Sequence, residues 1–381
     1  MSDLYKTLRR HVDDGTVPGA VGLVARGDDV EVVAVGSADA DGSAPMTRES
    51  VFRIASITKP IVAAALLTLV DDGTVGLADP VAEWLPELEK PVVVRTPGAP
   101  VDDVVPAVRP ITVEDVLSSR PGWGFPADFT LPGVRALFEV QRDGRAPQSM
   151  PDQDAWLAAL SRVPLLHQPG EAWLYNTASD LQGVLIARAS GRPLPDYLAD
   201  RLLEPLGMAD TGFVVPPEKR DRFTSAYRPD GAGALVRTDT PDGAFASAPR
   251  FASGAGGLVS TADDWLAFAR LLLNGGEANG RRLLTSASVE RMTTDHLTAA
   301  QRDAGTLFLE GQGWGYGGQV DVTSSAPWNV PGRYGWVGGT GTAAHLVPST
   351  GTVTILLTQV AMESPTPPQL MRDFWRSTAG A

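Results

Sequence analysis

The β-rich runs of this sequence lie at its two ends, and that placement limits the folds open to the chain. "AVGLVARGDDVEVVAVGSAD" (20–39) reads as a hairpin, two runs of strand-forming residues about a Gly-Asp-Asp turn. The next strand-like, glycine-rich material comes near the other end, in "QGWGYGGQV" and "YGWVGGTGTAAHLVPSTGTVTILLTQ". Between them, apolar spacing predicts helices in "ITKPIVAAALLTLVDD", "ITVEDVLSSR", "MPDQDAWLAALSRV", "ASDLQGVLIARASG", "PLPDYLADRLLEPLG", "TADDWLAFARLLLNGG" and "TSASVERMTTDHL". Amphipathic helices open the chain, ending near Gly15, and close it in "TPPQLMRDFWRSTA". This order predicts an α/β sandwich built from both termini, residues 1–75 with 253–381, and a mostly helical insertion over 76–252. Ligand sites favour such a boundary. Residues 91–110 are too rich in proline for a central strand, and 120–150 and 228–252 read as long loops.

Composition removes several functions. There are no cysteines, so disulfides, thiolate nucleophiles and cysteine-based metal sites are excluded. The four histidines (His11, His167, His296, His345) lack metal-ligand spacing, and no metal or cofactor is expected. A formal net charge of −13 opposes nucleic acid and anionic membranes as partners. No run approaches the length of a membrane span, and the first residues lack the apolar region of a signal peptide. A cytoplasmic protein acting on a small molecule is the expectation.

One short stretch carries chemistry. The chain has only four lysines, and one of them, Lys59, stands at the head of the apolar helix in "FRIASITKPIVAAALL". It lies three residues after Ser56, so both side chains share one face of the first turn. Pro60 fits that turn, where its missing N–H costs nothing. A serine hydroxyl is a weak nucleophile until a neighbouring base takes its proton. Lysine serves as that base when burial disfavours its charged form; arginine stays charged and cannot. The helix start also offers a backbone N–H to an oxyanion. The same residues also fit an N-capping serine and a snorkelling lysine. Tyr175, in "QPGEAWLYNTASDLQG", fits either a proton shuttle or a core tyrosine. "GWVGGTGT" (335–342) fits either a strand that a substrate backbone can approach or a tight sheet edge. No G-x-S-x-G or dinucleotide-type glycine loop occurs.

Taken together, the segments resemble the serine β-lactamase and penicillin-binding protein superfamily, and within it the class C-like, family VIII carboxylesterases. The likeness spans nearly the whole chain. It rests on "VPGAVGLVARG", "FRIASITKPIVAAALLTLVDDGTVGLADPVAEWLPE", "PGEAWLYNTASDLQGVLIARASGRPLPDYLADRLLEPLGM" and "GAGGLVSTADDWLAFARLLLNGGEANGRRLLT". It implies a β-lactamase-like fold, an antiparallel sheet flanked by helices. It also implies a covalent acyl-enzyme on Ser56, with Lys59 and Tyr175 moving protons and the N–H groups of Ser56 and Gly339 forming the oxyanion hole. Trp336, Val337 and Gly338 fall where lactamases have Lys-Thr-Gly. The resemblance places Thr177 where the second motif, Tyr-x-Asn, has its amide.

Both departures, Thr177 and Trp336, remove groups suited to a β-lactam and leave acyl transfer intact. An esterase of small neutral esters is therefore expected, with Trp336, Val337, Gly338, Thr177, Trp123 and Phe125 contacting substrate. Phe129, Trp314, Tyr316 and Trp328 are further candidates for the pocket wall. The alternatives are an acyltransferase or amide hydrolase of a natural product, then a β-lactamase or D-aminopeptidase, then a non-catalytic acyl sensor.

Overall fold

The computed structural model describes residues 1–141 and 150–379. Helix α1 (Asp3–Asp13) is capped by Ser2, whose hydroxyl oxygen accepts from the Tyr5 N–H. It leads into the expected hairpin, β1 (Gly19–Arg26) and β2 (Asp29–Gly36), turned at Gly27 with φ +59°. The C-terminal third supplies β3 (Gly313–Trp314), β4 (Gln319–Val320), β5 (Tyr334–Gly338), β6 (Thr342–Val347) and β7 (Thr352–Thr358). These form one sheet in the order β3-β4-β5-β6-β7-β1-β2, antiparallel at every pairing. The two ends of the chain meet where β1 pairs with β7, from Ala20 opposite Thr358 to Arg26 opposite Thr352.

Strand alternation gives the sheet two apolar faces. Ala20 and Val24 of β1, with Leu356 of β7, face α1 and the last helix, α5 (Gln369–Thr378), burying Leu4, Leu8, Met371 and Phe374. Gly22 lets α1 lie close, because a Cβ there would come 2.7 Å from Leu8 Cδ1. Val21 and Leu23 of β1, with Ile355 and Leu357 of β7, face the larger core. That core holds α2 (Lys59–Asp71), α3 (Thr177–Ser190) and α4 (Ala262–Leu273). Helix α2 is buried continuously from Lys59 to Leu69, as expected of a helix apolar all round.

The structure departs from the sequence reading in three places. The helix expected from Ile57 begins as a 3-10 turn, Ala55–Thr58, and becomes α-helical only at Lys59. Within 120–150, Pro132–Gln141 is a helix, with Pro132 in its first turn and Val134, Leu137 and Gln141 buried along one side. The rest of that stretch, 142–149, lies outside the described residues. Overlapping the stretch 228–252, Ala226–Pro229 and Leu235–Asp239 form a hairpin, which the glycine-rich turn between them makes possible. The proline-rich excursion also holds a small hairpin, Val92–Val94 with Val104–Pro106.

Candidate active site

The 3-10 turn carrying Ser56 is gripped from several sides. On one side, Thr340 Oγ1 donates to the Arg53 carbonyl at 2.6 Å and Thr342 Oγ1 donates to the Ile54 carbonyl at 2.9 Å. On the other, the Ile54 N–H reaches Leu258 O at 3.1 Å, and Trp265 Nε1 of α4 donates to Ile57 O at 3.2 Å. Ala55, just before the serine, is held at φ +46°, a region that costs a residue with a Cβ about 1–3 kcal/mol. The surrounding hydrogen bonds are what keep it there.

Lys59 opens α2 and is wholly buried. Its Nζ donates to Ser56 Oγ at 2.9 Å, to Asn176 Oδ1 at 3.0 Å and to the Ala255 carbonyl at 2.6 Å. Three acceptors match the three N–H bonds of an ammonium. A neutral amine would keep two of these bonds, to Asn176 and Ala255, and turn its lone pair to the Ser56 hydroxyl.

Tyr175 is fixed by its backbone, which exchanges two hydrogen bonds with Phe125, at 3.0 and 2.9 Å. Its ring centroid is 4.7 Å from Lys59 Nζ, and its hydroxyl oxygen accepts from Trp336 Nε1 at 2.8 Å. The next residue, Asn176, has φ +81° and ψ −63°, and this turns its amide onto Lys59. Thr177, expected at the substrate, is instead fully buried as the first residue of α3, and its Oγ1 donates to Gln141 Oε1 at 2.9 Å. The amide that Thr177 removes from the third position of the motif is thus present one residue earlier, placed by a strained γ-turn in which the Thr177 N–H reaches the Tyr175 carbonyl at 3.2 Å.

Behind the lysine lies a buried carboxylate that the sequence reading missed. Asp180 of α3 accepts from Ser253 Oγ at 2.7 Å, from the Ala255 N–H at 3.0 Å and from Gln141 Nε2 at 2.5 Å. Burial pushes its carboxyl above the usual aspartate value, and the hydrogen bonds and the charge of Lys59 pull the other way. The segment that Asp180 holds presents the Ala255 carbonyl to Lys59. The signal was visible in "ASDLQGVLIARASG": an acid in the first turn of an otherwise apolar helix.

Gly339 follows β5 and, with Ser56, Asn176, Asp180, Ala255 and Thr340, lines a cavity of about 150 Å³. A Cβ at Gly339 would meet nothing within 4 Å, whereas one at Gly338 would come 2.5 Å from the Ile54 carbonyl. Gly338 therefore serves the close approach of β5 to the serine turn, and the Gly339 carbonyl is held by the Met362 N–H at 2.8 Å. Trp336 is buried beside Tyr175, and Val337, half-buried, packs against the core.

The aromatic candidates divide. Trp123 is buried with Nε1 on the Val163 carbonyl at 2.8 Å and does not line this cavity. Trp314 and Tyr316 are fully buried, and Trp328 packs on Trp375 with centroids 5.6 Å apart. Phe125, half-buried, stacks on Phe138 at 4.7 Å and lies 6.1 Å from Phe129; Phe129 and Phe138 are exposed. Phe308 joins this group to Tyr175, with ring centroids 4.7 Å apart.

Known proteins resemble this chain in sequence and in fold. A family model described as beta-lactamase matches residues 4–372. An uncharacterised protein of Mycobacterium tuberculosis is 38% identical over 362 residues, covering 93% of this chain and 88% of its own. Esterase EstB of Burkholderia gladioli is 33% identical over 322 residues, covering 78% of this chain and 74% of its own. Among solved structures, EstCE1, described as a hydrolase with promiscuous acyltransferase activity, superposes with a TM-score of 0.80 at 25% identity, covering 99% and 98% of the two chains.

Proposed function

This chain belongs to the beta-lactamase family, and we propose that it is a serine ester hydrolase working through an acyl-enzyme on Ser56. The observation that carries the reading is the fully buried Lys59 amine 2.9 Å from Ser56 Oγ. In the first step Lys59, with Tyr175, takes the hydroxyl proton as Ser56 Oγ bonds to the ester carbonyl carbon. The resulting oxyanion is held by the N–H groups of Ser56 and Gly339. The carbon–oxygen bond to the alcohol breaks, and the alcohol departs with a proton delivered through Tyr175. Water then attacks the acyl-enzyme by the same route, giving the acid and free Ser56. The leaving alcohol lies on the Tyr175 side, toward Phe308, Phe125 and Phe129, which suits a neutral, apolar alcohol.

Trp336 stands where a lactamase has a cation, so no charge there pairs with a β-lactam carboxylate. Such a pair is worth about 1.5–3 kcal/mol, and esters are favoured over lactams accordingly. Replacing Ser56 by alanine tests the whole scheme. Hydrolysis of p-nitrophenyl acetate and labelling by a fluorophosphonate should both vanish while the fold is retained; undiminished turnover would sink the mechanism.

A second reading, acyl transfer to an alcohol other than water, is favoured by the description of EstCE1. Product analysis with added alcohols decides between them. Transfer product that outgrows free acid would make this chain an acyltransferase.

A further inference from the structure

The cavity at Ser56 has a volume of about 150 Å³, and Tyr175 is not among its walls. Ligand sites more often hold roughly 300–1,000 Å³, so a substrate larger than a short ester needs further room. A second cavity of about 420 Å³ adjoins the first, and Arg53 and Thr340 line both. With the alcohol leaving toward Tyr175, the acyl group extends the other way from the carbonyl carbon, past Thr340. That direction leads to the second cavity.

One wall of the second cavity is the hairpin of Ala226–Pro229 and Leu235–Asp239. Arg228 pairs with Val236, so Arg228 and Thr238, two residues beyond Val236, share one face of the hairpin. Both line the cavity. Arg237 points to the opposite face and lines neither cavity.

The charged residues of the wall are Arg53, Asp239 and Arg228. Arg53 and Asp239 cancel each other. Arg53 Nε and Nη2 donate to Asp239 Oδ2 at 3.0 and 2.7 Å, and the Ala244 N–H donates to Asp239 Oδ1 at 3.1 Å. The remaining Arg53 nitrogen, Nη1, donates to the Thr224 carbonyl at 2.6 Å. Arg228 is different: it is exposed, and among the described residues no ion pair or hydrogen bond holds its guanidinium. The cavity therefore carries one uncommitted positive charge. A guanidinium presents paired N–H donors that match the two oxygens of a carboxylate. Thr238, on the same face, adds a hydroxyl.

We propose that this second cavity is the acyl-group subsite, and that the substrate's acyl chain ends in a carboxylate that pairs with Arg228. The substrate is then a monoester of a dicarboxylic acid, and the neutral ester expected from the sequence is neutral only in its alcohol. The assignment rests on the esterase reading above.

The experiment holds the leaving group constant and varies the charge at the far end of the acyl chain. kcat/KM is measured at neutral pH for the mono-p-nitrophenyl esters of adipic, suberic and sebacic acid. Each is compared with its neutral match, the methyl p-nitrophenyl diester of the same acid. At the best chain length the acid should exceed its match by about two- to fivefold, the range an exposed ion pair supplies. Arg228→Gln should erase that preference. Arg237→Gln, which removes a cation from the other face of the hairpin, should keep it. Fluorophosphonate labelling of Ser56 confirms that each variant is folded. Equal rates at every chain length, a preference that survives Arg228→Gln, or one lost equally in Arg237→Gln would overturn the subsite. Turnover of p-nitrophenyl acetate that depends on Ser56 would then leave the esterase reading standing, whereas acetate turnover surviving in Ser56→Ala would remove that reading first.

Discussion

The indole N–H of Trp336 donates to the hydroxyl oxygen of Tyr175 across 2.8 Å. The bond joins β5 to the start of α3 and orients the Tyr175 hydroxyl. Trp336→Phe keeps an aromatic ring and deletes the donor. We expect kcat/KM for esters to fall by about two- to tenfold, the worth of one neutral hydrogen bond. The loss should be larger for ethyl esters, whose alcohol needs a proton to leave, than for p-nitrophenyl esters. Equal losses for both would place the role of Trp336 in packing alone.

Lys59→Arg separates charge from proton transfer. Arginine stays protonated and cannot accept the Ser56 proton. Turnover should fall by about 10²–10⁴, the range for loss of a general base, with fluorophosphonate labelling falling in parallel. Lys59→Met serves where the larger guanidinium disturbs the fold, and it should show the same loss. An arginine variant within tenfold of the parent would exclude Lys59 as the base.

Ala55→Gly relieves the backbone at φ +46°. Glycine accepts that region freely but gains freedom in the unfolded chain, worth about 0.4–1 kcal/mol the other way. A net stabilisation of about 0–2.5 kcal/mol is expected, read as a raised midpoint in urea. Because Ala55 sets the direction of Ser56, kcat should drop as stability rises. A variant that gained stability with no loss of kcat would show that the strain does not serve the serine.

Asp180→Asn gives a pH signature. Burial raises the carboxyl of Asp180 in the folded chain above the ordinary aspartate value of 3.8. The native state therefore holds that proton more tightly than the unfolded state, and stability is lost as pH rises from the ordinary value through the raised one. Asparagine carries no such titration. The melting temperature of the variant minus that of the parent should become more positive as pH rises from about 4. A difference that stays flat or falls would mean that Asp180 is held as a well-compensated carboxylate.

The broad fold was legible because its signals are strong ones: β-rich ends, a buried helix from Lys59 to Leu69, and apolar spacing in α3 and α4. The helix at Pro132–Gln141 was not, since glycine and proline on both sides outweighed its short apolar stripe. Ser56, Lys59, Tyr175 and Gly339 could be picked out by motif, and the structure brings Ser56, Lys59 and Tyr175 together around one amine. Asn176 escaped because the motif looks to the third position, and only a backbone at φ +81° shows that the second one delivers the amide. Trp123 and Thr177 were misplaced because side-chain direction is set by partners far along the chain, the Val163 carbonyl and Gln141.

The pairing of β1 with β7 has a consequence for how the molecule is made. Residue 20 finds its neighbour only at residue 358, so during synthesis the first hairpin waits on an open edge until the last strands emerge from the ribosome. Contacts this distant in sequence form slowly. Ser56 leaves the ribosome early, but Gly339 and the β5–β6 threonines that clamp its turn arrive near the end. Acylating power should therefore switch on late and all at once, and a chain stalled before β5 should be inert to a fluorophosphonate even with Ser56 and Lys59 already in place.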